Sequence, residues 1–143
     1  MDIKELNSVH ELNKRLGVET LHPLITLLDF SKIDVSDRSE VVVNEYFTTG
    51  MQREHGLPTV KYCAEHLSLS ANYLGDLIKR DTGHSAQEYL QQTIVERAKV
   101  SLITTTLSVS EISYSLGFEY PHYFSRLFKK RVGVSPKEYR TMN

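Results

Sequence analysis

His122, Ser125, Arg126 and Lys129 follow one another at the i, i+3, i+4, i+7 positions of the chain, the spacing that lines side chains along one face of an α-helix. Such a face presents an imidazole, a hydroxyl, a guanidinium and an ammonium, a set rich in hydrogen-bond donors and positive charge. Phe124, Leu127 and Phe128 fall at i, i+3, i+4 on the opposite side, so the same helix has an apolar face to bury. The chemistry on offer is recognition of an acceptor-rich, anionic surface rather than bond making. No phosphate-binding glycine loop and no paired acid/base motif stands out, so no catalytic residue is expected.

A short helix and a tight turn must hold that face in place. Ser108 and Glu111 have the capping-box spacing, in which hydroxyl and carboxylate each satisfy an orphan backbone N–H at a helix start, so a helix is predicted from about Val109. Gly117 supplies the left-handed backbone that ends it, and Pro121 suits the first turn of the next helix, where its missing N–H is not needed. The stretch from Ser108 to Tyr139 therefore reads as helix, turn, helix.

Further upstream, Ile3, Leu6, Val9, Leu12 and Leu16 recur at helical intervals up to Gly17, and the apolar run LHPLITLLDFSKI (residues 21–33) reads as a buried strand or as part of a helix, a choice that periodicity does not settle. VSDRS (residues 35–39) reads as a polar break. The following SEVVVNEYFTTG places Val42, Val43, Tyr46 and Phe47 on one side of a helix ending near Gly50, and MQREHGLP reads as a linker. Thr59 is expected to start a helix through about His66, with Cys63, Ala64 and Leu67 inward. Ser70 caps a second helix stopped by Gly83. Ser85 and Glu88 form another capping box, opening a long helix from Ala86 to about Thr104 with Tyr89, Leu90, Ile94, Ala98 and Leu102 on its buried side.

Laid over itself at an offset of 50, the chain repeats. Gly83-His-Ser85-Ala-Gln-Glu88-Tyr89 matches Gly133-Val-Ser135-Pro-Lys-Glu138-Tyr139, and Tyr73, Leu74, Leu77, Ile78, Lys79 and Arg80 match Tyr123, Phe124, Leu127, Phe128, Lys129 and Lys130. Before the turn the offset is 49, pairing Cys63 with Ile112, Ala64 with Ser113, Leu67 with Leu116 and Leu69 with Phe118. The second unit therefore carries one more turn residue than the first. A helical solenoid needs about three or more copies to bury a continuous core, and only two are present. The joining helix would measure ~28 Å at 1.5 Å per residue, close to the ~34 Å between successive major-groove faces on one side of B-DNA.

The run Ile112-Ser-Tyr-Ser-Leu-Gly117-Phe118, with Tyr123-Phe124-Ser-Arg126-Leu-Phe128-Lys129-Lys130 and Gly133-Val-Ser135-Pro136-Lys-Glu-Tyr139-Arg140, makes residues 57–143 resemble a known domain. It is the C-terminal DNA-binding domain of the arabinose-operon-regulator (AraC/XylS) family of bacterial transcription regulators. The resemblance implies a mainly α, homeodomain-like fold of seven helices, with two helix-turn-helix units joined by a long linker helix. Residues 39–143 are expected to form this domain, with 39–50 as its lead-in helix, and residues 1–38 a shortened N-terminal segment (a helix, then a strand or further helix) resembling the opening of a cupin-type effector domain.

Arginine to guanine is the commonest specific major-groove contact, which puts Arg126 first for base readout. The resemblance maps His122, Ser125 and Arg126 onto base-contacting positions, and also Pro121, which has only apolar contact with a thymine methyl to offer. Lys129 and Lys130 suit phosphates, as do Lys79 and Arg80 at the matching places of the first unit. The first unit's outer face is otherwise Asn72, Gly75 and Asp76. Asn72 can pair with adenine and Asp76 can accept from cytosine N4, but Gly75 has no side chain and Asp76 repels phosphates, so weaker readout is expected there.

Charge supports this division. Residues 1–56 carry six Lys/Arg and ten Asp/Glu, and residues 57–143 eleven and eight, a net of −4 against +3 within a total of −1. The N-terminus is charged and amphipathic, and no apolar run reaches membrane-spanning length, so a cytoplasmic protein without a membrane partner is expected. Six histidines show no ligand spacing with the single cysteine, so neither metal nor cofactor is expected. Cys63 reads as a small core residue, and Phe118, Tyr123, Phe124 and Phe128 as core aromatics. The expected partner is promoter double-stranded DNA, with RNA polymerase as a further one. The alternative is a protein-interaction modulator that keeps the fold with little productive DNA binding.

Overall fold

In the computed structural model, which describes residues 35–143, eight α-helices and no strand are present among the described residues. They are α1 (Val35–Thr48), α2 (Met51–His55), α3 (Val60–His66), α4 (Ala71–Thr82), α5 (Ala86–Thr104), α6 (Val109–Ser115), α7 (Pro121–Val132) and α8 (Pro136–Met142). The mainly α class holds. Six helices, α1 and α3 to α7, stand in the stretches where the spacing predicts them; α8 makes up the seven that the resemblance implies, and α2 is the addition. The expected N-terminal helix and the strand or helix at residues 21–33 lie outside the described residues. The helices fall into two compact units, one containing α1, α3 and α4, the other containing α2 and α5 to α8.

In the first unit, α1 begins at Val35 rather than after a polar break at 35–39. The correction has a simple cause: Val35 and Ser39 stand one turn apart and are buried on the same side as Val42 and Tyr46, so a stretch polar in composition is amphipathic in register. Val42, Val43, Tyr46 and Phe47 are buried as expected. The Tyr46 ring meets Phe47 at 5.7 Å and Tyr62 of α3 at 4.8 Å, both edge to face. Cys63 and Ala64 from α3 and Leu74 and Ile78 from α4 complete this core. Leu67, expected inward, is only half-buried.

In the second unit, Leu90, Ile94, Val95, Ala98 and Leu102 of α5 are buried with Ile112, Leu116, Phe118, Phe124 and Phe128. Tyr89, expected among them, is half-buried. Arg140 of α8 donates from Nε to the Leu102 carbonyl (2.9 Å) and from Nη2 to the Thr105 carbonyl (3.3 Å), occupying acceptors that the end of a helix leaves without intrahelical partners.

The residues expected as a linker, 51–58, form a short helix and a strap. Gln52 Nε2 donates to the Ser115 carbonyl at 3.3 Å, and the Gly56 backbone lies against Gly117 so closely that a Cβ on Gly117 would stand 2.7 Å from the Gly56 carbonyl carbon. A five-residue helix has no periodicity to read. Its position comes from this non-local contact.

Candidate nucleic-acid interface

The turn of the second unit is built as its residue types dictate. The Ser108 side chain accepts from the Glu111 N–H (3.0 Å) and the Glu111 carboxylate accepts from the Ser108 N–H (3.0 Å). Hydrogen bonding to the carboxylate, first from the Ser108 backbone N–H and then from its side chain, holds the Glu111 carboxyl below its ordinary value. Gly117 adopts φ 100, and α7 opens with Pro121 at its first position. The helix closes at Gly133, whose N–H donates to the Lys129 carbonyl at 2.8 Å.

Aromatic contacts at its two ends, joined by one within the helix, set the roll of α7 about its own axis. Phe118 packs on Phe124 at 5.4 Å, Phe124 on Phe128 at 5.8 Å, and Phe128 edge to face on Tyr139 of α8 at 5.5 Å. Phe124 and Phe128 are fully buried, each worth about 1.5–3 kcal/mol relative to exposure. Arg131 Nη2 donates to the Gln91 Oε1 of α5 at 2.7 Å, tying the basic end of α7 to the linker helix. Sequence reading assigned Arg131 no role, because a contact 40 residues away in sequence leaves no local signal.

With α7 held by its phenylalanines, the outer face is determined. His122, Arg126, Lys129 and Lys130 are exposed, while Pro121, Ser125 and Leu127 are half-buried. The sequence-derived face of His122, Ser125, Arg126 and Lys129 is thus assembled on one helix, and Lys129 and Lys130 make no ion pair among the described residues.

Tyr123 departs from the expectation of a core aromatic, being 49% exposed. One residue of α-helix turns about 100°, which takes Tyr123 off the side that buries Phe124. Its ring lies 4.3 Å from His122 and 5.7 Å from Tyr120, and the Arg126 guanidinium stands 6.0 Å from its centroid. Tyr120 and Tyr123 are site-face residues that sequence reading missed. The signal that could have found Tyr123 was its i, i+3 and i, i+7 spacing to Arg126 and Lys130 on the outer face.

In the first unit, Ser70 Oγ accepts from the Tyr73 N–H at 3.1 Å and opens α4, and Gly83 closes it. The turn is one residue shorter than in the second unit, as the change of offset predicts. Ser68, at the place of Gly117 in the repeat, takes a positive φ of 58. Asn72, Tyr73, Asp76, Lys79 and Arg80 are exposed around half-buried Gly75, and nothing lies within 4 Å of a Cβ placed on Gly75. Arg80 Nε donates to Asp81 Oδ1 at 3.2 Å, the arginine side chain exposed and the carboxylate partly covered.

Cys63 of α3 is buried, and burial pushes its thiol up to about 12, in keeping with a core residue rather than a nucleophile. Among the described residues no helix is long and apolar enough to cross a membrane.

Comparison with known proteins agrees with this geometry. A family model described as a helix-turn-helix domain matches residues 63–142. The chain belongs to the AraC-type helix-turn-helix family. It is 32% identical over 117 residues to an Escherichia coli protein named as an uncharacterized HTH-type transcriptional regulator, YijO, covering 77% of this chain and 39% of that protein. It is 31% identical over 139 residues to the Msm operon regulatory protein of Streptococcus mutans, covering 96% of this chain and 48% of the relative. The chain thus spans less than half the length of these curated relatives. Among solved structures, the C-terminal domain of AraT, a response regulator from Geobacillus stearothermophilus, is similar with a TM-score of 0.62 and 31% identity, over 78% of this chain and 87% of that one. This AraC-type likeness extends over both helix-turn-helix units, α3 with α4 and α6 with α7.

Proposed function

We propose that the protein is a sequence-specific DNA-binding transcription regulator that inserts α4 and α7 into adjacent major grooves of a promoter. The observation that carries this reading is the outer face of α7. Four donor-bearing side chains, His122, Arg126, Lys129 and Lys130, are exposed along a helix whose roll is set by buried phenylalanines. An α-helix fits the major groove, where arginine pairs in two-pronged fashion with guanine O6 and N7.

In this reading Arg126 reads a guanine, His122 and Ser125 contact neighbouring base edges, and Pro121 offers apolar contact to a thymine methyl. Lys129 and Lys130 hold phosphates, as Lys79 and Arg80 do for α4, and Asn72 and Asp76 supply a weaker second readout. The 19-residue α5 is the spacer that suits two successive grooves on one DNA face. RNA polymerase is the further partner expected of a regulator acting at a promoter in the cytoplasm. Residues 39–143 constitute the DNA-binding part, and residues 1–38 a segment resembling the opening of an effector domain.

A second reading, a protein-interaction modulator, draws on α4, where Gly75 leaves a gap and Asp76 stands exposed among the recognition positions. Selection of bound duplexes from a random pool separates the two. Recovery of a shared sequence whose affinity falls about 10-fold or more on base substitution supports DNA reading. Equally weak binding to every sequence supports the modulator.

A further inference from the structure

Tyr123 lies on the proposed reading face, yet that reading gives it no work. It is 49% exposed, and the equivalent Tyr73 of the first unit is 53% exposed, so both units carry a tyrosine on the recognition helix just before the first core residue. What differs is the residue three positions on. Tyr123 is followed by Arg126 and Tyr73 by Asp76. Among the described residues, a cation stands by the ring in the second unit alone, the Arg126 guanidinium carbon being 6.0 Å from the Tyr123 centroid. The ring is itself braced, with His122 at 4.3 Å and Tyr120 edge to face at 5.7 Å, and Tyr120 and His122 stacked at 5.7 Å.

We propose that Tyr123 is a positioning residue for Arg126 and so sets how strongly the second unit discriminates its base. An exposed arginine samples many rotamers, and ordering such a side chain opposes binding. A guanidinium attracted to the face of an aromatic ring has part of that freedom removed beforehand. The braced ring keeps the arginine fork on the outer face, from which its two donors meet a guanine with less ordering left to do. This rests on the reading of Arg126 as the base-contacting residue. The work belongs to the ring and not to the hydroxyl, which separates the proposal from a tyrosine that binds phosphate.

The test uses the full chain, a duplex recovered by selection from a random pool, and the set of single-base substitutions of that duplex. Binding is measured at one salt concentration for the unaltered protein, Tyr123→Leu, Tyr123→Phe, Tyr73→Leu and Arg126→Ala. Thermal unfolding checks that each variant folds. Arg126→Ala is expected to remove about 10-fold or more of discrimination at one guanine. Tyr123→Leu should remove ~3-fold at that same position and leave the others in place, matching the strength of an exposed cation–ring contact. Tyr123→Phe should keep the discrimination, and Tyr73→Leu should leave that position unchanged. If Tyr123→Leu and Tyr123→Phe weaken all duplexes alike, the hydroxyl is binding phosphate and the proposal is overturned. If Arg126→Ala flattens the guanine position and Tyr123→Leu does not, positioning by the ring is overturned while base reading stands. If Arg126→Ala changes no base preference, the reading of Arg126 fails and the positioning role fails with it.

Discussion

Burial pushes the Cys63 thiol up to about 12, which leaves almost no thiolate at neutral or mildly alkaline pH. Because the thiolate is the reacting species, a thiol reagent at about pH 8 is expected to label the native chain far more slowly than the denatured one. The labelling rate against denaturant should follow unfolding of the unit that contains α1, α3 and α4; rapid labelling without denaturant would show the core of that unit to be open. Glu111 has the opposite shift, held low by hydrogen bonds from Ser108. A carboxyl whose folded value lies below its unfolded one stabilises the fold above the unfolded value and loses that contribution as pH falls through the folded one. Glu111→Gln keeps a capping-box side chain without the titration. The stability advantage of the unaltered chain over Glu111→Gln should therefore shrink as pH drops below the ordinary carboxylate range, measured by denaturant unfolding across that range. An advantage independent of pH would mean that the charge on Glu111 contributes nothing. These side chains were legible because their partners are local or their burial follows from helix register. Tyr123 was misread for the complementary reason: pairing aromatic with aromatic across the repeat shows that two positions share a role, not that the role is core.

At the scale of elements, the caps and stops of α6 and α7 could be read directly, since Ser108, Glu111, Gly117, Pro121 and Gly133 each act within one turn of their own position. The start of α1 and the existence of α2 could not. Both depend on what packs against them: Val35 and Ser39 on a buried row, and Gly56 on Gly117. Of the glycines in the second unit, Gly117 has the closest neighbours. At Gly117 the φ of 100 already disfavours a side chain, and a Cβ would also meet Gly56 and Leu57 backbone atoms at 2.7 to 3.0 Å. Backbone cannot swing aside as the end of a side chain can. Gly117→Ala is therefore expected to destabilise the second unit by about 2–5 kcal/mol, the sum of a left-handed non-glycine residue and local overpacking. By contrast, Gly133→Ala, which has nothing within 4 Å of the new Cβ, should cost only the left-handed part, about 1–2 kcal/mol. Denaturant melts of the two variants compare them directly. Equal losses would show that the strap of residues 51–58 does not press on the turn in solution.

For the whole molecule, the formal charge of −1 supplies no general attraction to polyanions, so the proposed binding to DNA has to come from where the charges stand. Lys79 and Arg80 close α4, and Lys129 and Lys130 close α7. If each neutralises one phosphate, counterion release gives a slope of log K against log salt of about −3.6. Lys130→Ala should flatten that slope by about 1 and weaken all sequences alike, because a phosphate contact carries no sequence information. Arg126→Ala should change the ranking of sequences and move the slope little. Asp76 supplies the internal comparison. It is exposed where the second unit has Arg126, so Asp76→Ala removes a repulsion from DNA. It should raise affinity for unrelated duplexes while disturbing the preferred sequence less than Arg126→Ala does. Two units with matching cores then do unequal work, α7 discriminating and α4 chiefly anchoring. The opposite result, sequence preference lost with Asp76→Ala and kept with Arg126→Ala, would place the reading in α4 through a carboxylate on cytosine N4 and reverse the assignment of the two helices.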